Sequence, residues 1–247
     1  MQQIFIDQFL IGQSEIELSG QPYRHLIKAL RFGPKSKFMI VDVKRKVYQA
    51  TVTAVADKAF QSKIKPKARL NTELPIKVTI ACSLSKKDKV DWITQKSTEL
   101  GATEILFFNS RYSIMKWHKS AIEKKLARLQ QIADSAAEQS HRLIQPKVSY
   151  LPSLKEVYQQ TYDYKLVAYE ESAKKNETAQ LVQTLNDINE NQSVICLFGP
   201  EGGFAVEEVE QMVQNNYKAC GLGPRILRAE TAPMYFLSSV SYQLELK

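Results

Sequence analysis

The sequence predicts an α/β protein in two parts, a small basic β-rich unit over residues 1–70 and a larger unit over 71–247 built on a parallel sheet. Three observations carry this. Residues 1–70 hold 13 Lys and Arg against 5 Asp and Glu, whereas 71–247 hold 21 of each, so the net charge of +8 lies wholly in the first part. The first part reads as short stretches rich in β-branched and aromatic residues, while from Ile76 onward apolar strand-like runs alternate with helical patterns. Five of the nine glycines crowd into residues 199–223, in two loops that each follow a strand candidate.

In the basic part, Gln2–Ile6, Ser36–Val43, Val47–Val55 and Phe60–Ile64 are expected strands. Tyr23–Arg31 is an expected short helix, with Leu26, Ile27 and Leu30 at helical spacing and Gly33-Pro34 closing it. A short helix packed on a small barrel or sheet follows, and Lys65–Pro75 has the composition of a linker. In the second part the expected strands are Ile76–Cys82, Glu104–Phe108, Lys165–Tyr169, Ser193–Phe198 and Lys218–Leu222. Ser85 and Asp88 are spaced as a capping box, and Val90, Ile93, Ser97 and Leu100 then mark a helix face that Gly101 ends. Ile122, Leu126, Leu129, Ala133 and Ala136 form the stripe of a second helix; Val206, Val209 and Val213 mark a third. Pro233 suits the first turn of a last helix, with Phe236, Leu237, Val240 and Leu244 as its buried stripe. Strands alternating with helices argue for a parallel sheet covered on both faces.

Composition narrows the class. The chain has 247 residues, 44% of them hydrophobic and 24% charged, enough for a sizeable core. Its longest apolar run, Val194–Phe198, is five residues, far short of the roughly 20 that a membrane-spanning helix needs. The opening MQQIFIDQFL lacks the basic and apolar regions of a signal peptide. Cys82, Cys196 and Cys220 are odd in number and sit in apolar segments, which points to reduced, buried thiols in a cytoplasmic protein. His25, His118 and His141 are too scattered for metal-ligand spacing, and no CxxC, GxSxG, P-loop or GxGxxG occurs, so neither a metal nor an ordinary dinucleotide site is expected.

The glycine loops are Phe198-Gly-Pro-Glu-Gly-Gly-Phe204 and Gly221-Leu-Gly-Pro-Arg225. Beyond strand carboxyl ends, glycines let backbone approach a ligand closely. Glu207, Glu208 and Glu210 near the start of the following helix suit its dipole and discourage a phosphate, so the ligand there should be neutral or cationic. Arg225, Arg228, Glu230 and Thr231 fall between a strand and a helix beside these loops; Glu230 or Thr231 as a helix cap, and Arg228 in a surface ion pair, are the plainer alternatives. Arg24 and Arg31, seven apart, share a face of the short basic helix that also carries His25, an arrangement suited to RNA phosphates. Ala137–Arg142 reads as a polar helix end.

Together, YRHLIKALR (23–31), KKDKVDWITQKSTELG (86–101), AEQSHR (137–142), FGPEGGF (198–204) and LGPRILRAETA (222–232) resemble, in order and spacing, the RsmE-type 16S rRNA (uracil(1498)-N3)-methyltransferases of the SPOUT class. The resemblance spans nearly the full chain, and the last two motifs are specific as a pair. It implies a PUA-like β-barrel for RNA at residues 1–70 and a SPOUT domain at 71–247 with a trefoil knot, a homodimer, and the small ribosomal subunit as partner. It implies S-adenosyl-L-methionine as methyl donor, held by Leu197, Gly199, Pro200, Glu201 and Gly202 in one loop and by Leu222, Gly223, Ile226, Leu227, Arg228 and Thr231 in the other. Glu138, Gln139, Ser140 and Arg142 would stand near the site or face the partner's, with Arg142 on the RNA alongside Arg24, His25 and Arg31. Arg228 would stabilise the uracil anion or orient the base, and Glu201 or Glu230 would take the N3 proton or else anchor loop backbone. Ala205 stands where the family commonly has Ser, Phe198 where it has Ile, and Pro233 follows Thr231-Ala232; none removes a functional group. The alternatives are a SPOUT enzyme for another rRNA or tRNA site, a non-catalytic RNA-binding assembly factor, and an enzyme for a small nucleotide.

Overall fold

A computed structural model describes residues 1–170 and 179–247. The chain forms two compact units: residues 1–72 with 138–144, and residues 73–137 with 145–247.

The first unit contains β1 (Gln3–Phe5), β2 (Glu15–Ser19), the single turn α1 (Gly20–Pro22), a π-helical segment (Tyr23–Ala29), β3 (Lys37–Val41), β4 (Val47–Val55) and β5 (Ala59–Pro66). They make a curled, five-stranded half-barrel in the order β1-β3-β4-β5-β2, antiparallel except for β1 beside β3. Alternation sets the register: Ile16 and Leu18 of β2 and Phe60 and Ile64 of β5 point into a core around Leu26, Phe38 and Ile40, while Glu15, Glu17, Lys63 and Lys65 point out. The β3–β4 hairpin turns on buried Asp42, whose Oδ1 accepts from the Lys44 and Lys46 N–H groups, both at 2.9 Å. Met39, Val41 and Val47 face the other way, where Leu143 covers them.

The expected α-helix at Tyr23–Arg31 is wound differently. The Leu30 N–H donates to the His25 carbonyl at 3.0 Å, five residues back, and the regular segment stops at Ala29. Arg31 lies outside it in the left-handed region, φ 56°. A seven-residue spacing therefore does not place Arg24 and Arg31 on one helical face, although both are exposed.

The second unit is a six-stranded parallel sheet of β6 (Lys77–Ser83), β7 (Glu104–Phe108), β8 (Lys147–Leu151), β9 (Tyr164–Ala168), β10 (Ser193–Phe198) and β11 (Lys218–Cys220). Its order is β11-β9-β10-β6-β7-β8. The helices are α2 (Lys87–Glu99), α3 (Lys119–Gln139), α4 (Leu154–Tyr158), α5 (Ala179–Asp187), α6 (Val206–Gln214) and α7 (Ala232–Ser241). Val78, Ile80, Val194, Cys196 and Phe198 face one layer, with Val90 and Ile93 of α2, Leu129 of α3, Leu181 of α5 and Phe236, Leu237 and Val240 of α7. Ala81, Leu106, Ile195 and Leu197 face the other, with Leu154 of α4 and Val209 and Met212 of α6. Burial on both faces explains the unbroken apolar run of β10. Cys82, Cys196 and Cys220 are free and buried, and burial pushes the Cys82 and Cys196 thiols well up.

Two local expectations are corrected. The Ser85 side chain does not cap α2: Lys86 is the N-cap, with no side-chain cap bond. On α6, Val206 and Val213 are exposed, 60% and 53%, and the buried stripe is Val209 with Met212. Among the described residues no helix is long and apolar enough to cross a membrane, and no cluster of His, Cys, Asp or Glu has metal-binding geometry.

Candidate functional site

The site follows from how the connections leave the sheet. α2, which follows β6, and α5, which comes after β9, pack on one face; α6, which follows β10, packs on the opposite face. Connections that diverge from neighbouring parallel strands leave a crevice beyond their carboxyl ends. There a cavity of about 730 Å³ opens, within the usual range for a small-molecule site. Its walls are the loop after β10 (Phe198–Phe204), the loop after β11 (Leu222–Ala229), the end of β9 at Ala168–Glu170, and Lys89 from the first turn of α2.

The glycines are required by close approach. A Cβ at Gly199 would come within 3.1 Å of the Gly203 carbonyl carbon, and one at Gly202 within 3.2 Å of Tyr112 Cβ. Gly203 and Gly223 hold positive φ, 69° and 85°. The loop is pinned from outside by Glu208, whose Oε2 accepts from the Ala205 N–H at 3.0 Å while its Oε1 accepts from the Arg111 N–H at 2.8 Å. One carboxylate thus caps its own helix and ties the loop after β7 to the loop after β10. Phe204 stacks on Phe108 beneath, ring centres 6.4 Å apart.

Charge inside the cavity is concentrated on a triad. Lys89 Nζ lies 2.9 Å from Glu201 Oε1 and 3.1 Å from Glu230 Oε2, with side chains 20%, 27% and 20% exposed. The Glu201 carboxylate, outweighing burial and helped by Glu230, holds the Lys89 ammonium above the usual lysine range. Burial works against ionisation of Glu230, but its own backbone N–H, Lys89 and Arg228 outweigh it and hold the carboxyl below the usual range.

Most of the expected cofactor residues meet here: Gly199, Pro200, Glu201, Gly202, Leu222, Gly223, Ile226, Leu227 and Arg228 all line the cavity, and Glu230 joins through Lys89. Two do not line it. Leu197 is fully buried in the layer under α6, because strand alternation turns it away from the opening. Thr231 takes the N-cap position of α7, where its N–H donates to the Arg228 carbonyl at 2.9 Å.

Outside the cavity, His25 is half-buried, its Nε2 hydrogen-bonded with Gln2 Nε2 at 3.0 Å. Glu138, Gln139, Ser140 and Arg142 belong to the first unit. Arg142 is only 2% exposed, and its carbonyl accepts from Gln3 Nε2 at 2.7 Å. Burial takes its side chain off the surface on which RNA contacts were expected. Lys89, Tyr169 and Glu170 were not among the expected site residues. Lys89 has a sequence signal, a cation in the first turn of a helix where the dipole disfavours it. Tyr169 and Glu170 have a topological one, the carboxyl end of a strand at the crevice.

Comparison with known proteins agrees with this geometry. Residues 72–241 match the family model described as an RNA methyltransferase domain. Ribosomal RNA small subunit methyltransferase E of Bacillus subtilis is 36% identical over 251 residues, covering 100% of this chain and 98% of that protein. The same-named protein of Neisseria gonorrhoeae, solved bound to S-adenosyl methionine, superposes with a TM-score of 0.83 at 28% identity over 98% of this chain and 97% of its own. A putative methyltransferase of Legionella pneumophila, in complex with the same cofactor, gives 0.84 at 25% identity over 97% and 96%. The chain belongs to the RsmE family of S-adenosylmethionine-dependent ribosomal RNA methyltransferases.

Proposed function

We propose that the protein methylates N3 of a single uridine in 16S rRNA, uracil 1498 in the family's designation, on the assembled small ribosomal subunit. The observation that carries the reading is the cavity beyond β9 and β10, walled by two glycine loops that bring Arg228, Glu201 and Glu230 together. The residues present fit S-adenosylmethionine. Glycines leave room for a ligand against backbone, carboxylates suit a cationic group, and the neighbouring helix start is already capped by its own Glu208. The loop glycines with Leu222, Ile226 and Leu227 would hold the cofactor. When bound, it supplies an electrophilic methyl group on a sulfonium.

The protein's own residues have three tasks. N3 is on the pairing edge of uracil, so the base must be unpaired or flipped out to enter. Arg228, exposed on the cavity wall, stabilises the negative charge that uracil develops as the proton leaves. Glu201 or Glu230 accepts that proton as a carboxylate, the ionised state in which its own backbone N–H, Lys89 and Arg228 hold Glu230 against burial.

The basic first unit, read as a PUA-like barrel over residues 1–70, contributes Arg24 and Arg31 to RNA phosphates, with His25 beside them. The second, read as a SPOUT domain over 71–247, contributes the knotted cofactor loops. The active form is read as a cytoplasmic homodimer. Methyl transfer from labelled S-adenosylmethionine to small subunits lacking the modification tests this. Label recovered as 3-methyluridine at one 16S position supports it. Label at another RNA site, or cofactor binding without transfer, moves the target elsewhere.

A further inference from the structure

Lys86, Lys87 and Lys89 cluster at the start of α2, the positive end of the peptide dipole, where cations are locally unfavourable. Lys86 and Lys87 are exposed, whereas Lys89 lines the cavity. Its ammonium bridges two carboxylates, 2.9 Å from Glu201 in the loop after β10 and 3.1 Å from Glu230 in the connection from β11 to α7. A residue that breaks a local helix rule and makes two short ion pairs in a cavity is placed for the site. Two carboxylates drawn to one cation would repel each other without it. The other charged groups on the cavity wall are Glu170 at the end of β9 and Arg225 and Arg228 after β11. Lys89 contacts both carboxylates.

We infer that Lys89 is a positioning residue for methyl transfer: through Glu201 and Glu230 it fastens the loop after β10 to the connection after β11 and sets the two candidate proton acceptors in place. The inference rests on the reading given under Proposed function. In the step itself the N3–H bond breaks, its proton goes to a carboxylate oxygen, and the N3 electron pair forms the bond to the methyl carbon. The carbon–sulfur pair returns to sulfur, leaving a neutral thioether. Lys89 keeps its proton throughout.

The test compares wild type with K89M, K89R and the control K87M. It reads methyl transfer to small subunits across pH, S-adenosylmethionine affinity by calorimetry, and hydrogen exchange of residues 199–203 and 228–231. In K89M, kcat should fall about 10²-fold, the cost of slightly misplaced groups, with cofactor affinity within a few-fold. If Glu230 is the proton acceptor, the acid limb of the pH profile should move to higher pH, because Glu230 loses one of the groups that hold its carboxyl down. Both loops should exchange faster together, K89R should recover most of the loss, and K87M should match wild type. A K89M enzyme with wild-type kcat and acid limb overturns the inference, as does a loss that K89R does not recover. If wild type itself transfers no methyl group, the functional reading fails, and loop exchange decides on Lys89 alone: unchanged exchange in K89M overturns the tie.

Discussion

In the first unit, strands alternate. Ile16 and Leu18 face the core while Glu15 and Glu17 face water, and β5 sets Phe60 and Ile64 against Lys63 and Lys65. In the second, β6 and β10 are buried along nearly their whole length by helices on both faces. The difference decides where each unit can keep charge. The wet face of the first sheet carries Lys37, Lys63 and Lys65, and its turns and helical segment add more, within the 13 Lys and Arg of residues 1–70, which suits long-range attraction to a polyanion. A sheet covered on both faces has only its ends left, and there a few charges are opposed at about 3 Å, which suits placement of atoms. Attraction and chemistry are thus separable by mutation.

The sharpest break between them is Arg228→Ala. Methyl transfer should fall by about 10²- to 10³-fold, the range for removing one group that stabilises developing charge, while cofactor affinity measured by calorimetry stays within a few-fold. An R228A enzyme of normal turnover would remove Arg228 from the chemistry. Next is Gly199→Ala, whose Cβ meets the Gly203 backbone at 3.1 Å. The loop must shift, and S-adenosylmethionine affinity should drop by about tenfold, roughly 1.4 kcal/mol, with RNA affinity unchanged.

Arg24→Ala with Arg31→Ala should do the reverse. RNA affinity weakens and the slope of log affinity against log salt falls by about one to two, while cofactor affinity is untouched. A wild-type slope would show that these two arginines do not face phosphate. The smallest effect belongs to acid stability. Glu230 is held below its ordinary value of 4.5, so its ion pair contributes fully above that pH and is lost as pH falls through the lower folded value. Thermal melts of wild type and Glu230→Gln should differ by roughly 2–4 °C at neutral pH, the equivalent of about 1 kcal/mol, and converge at low pH.

Much of this plan was legible from the residues. Glu104–Phe108 and Ser193–Phe198 stand where their apolar runs place them, and the two glycine loops meet because both follow strands of one parallel sheet. What was missed has physical causes. β2 is five residues with charge on its wet face, and β8 buries only Val148 fully, so neither makes an apolar run. The valines of α6 lie at helical spacing, yet burial is decided by the layer they meet, which takes Val209 and Met212. Arg31 does not share a helical face with Arg24 because the segment before it winds with five-residue hydrogen bonds. Arg142 is buried although a polar helix end reads as solvated, and its carbonyl accepts from Gln3 of the first unit. Lys89 was hidden in a lysine cluster whose other members are exposed.

The Glu208 clip has a consequence for selectivity. S-adenosylmethionine shares its adenosine with ATP, and a cell offers both. A helix start beside a glycine loop is the usual place for a triphosphate to be caught by free N–H groups. Here Glu208 has taken the Ala205 N–H for itself and brought a carboxylate to that corner. A polyphosphate tail would meet like charge and a donor already engaged, whereas a sulfonium meets no such opposition. At that corner the molecule is built to favour a cation over an anion, whichever adenosine compound carries it.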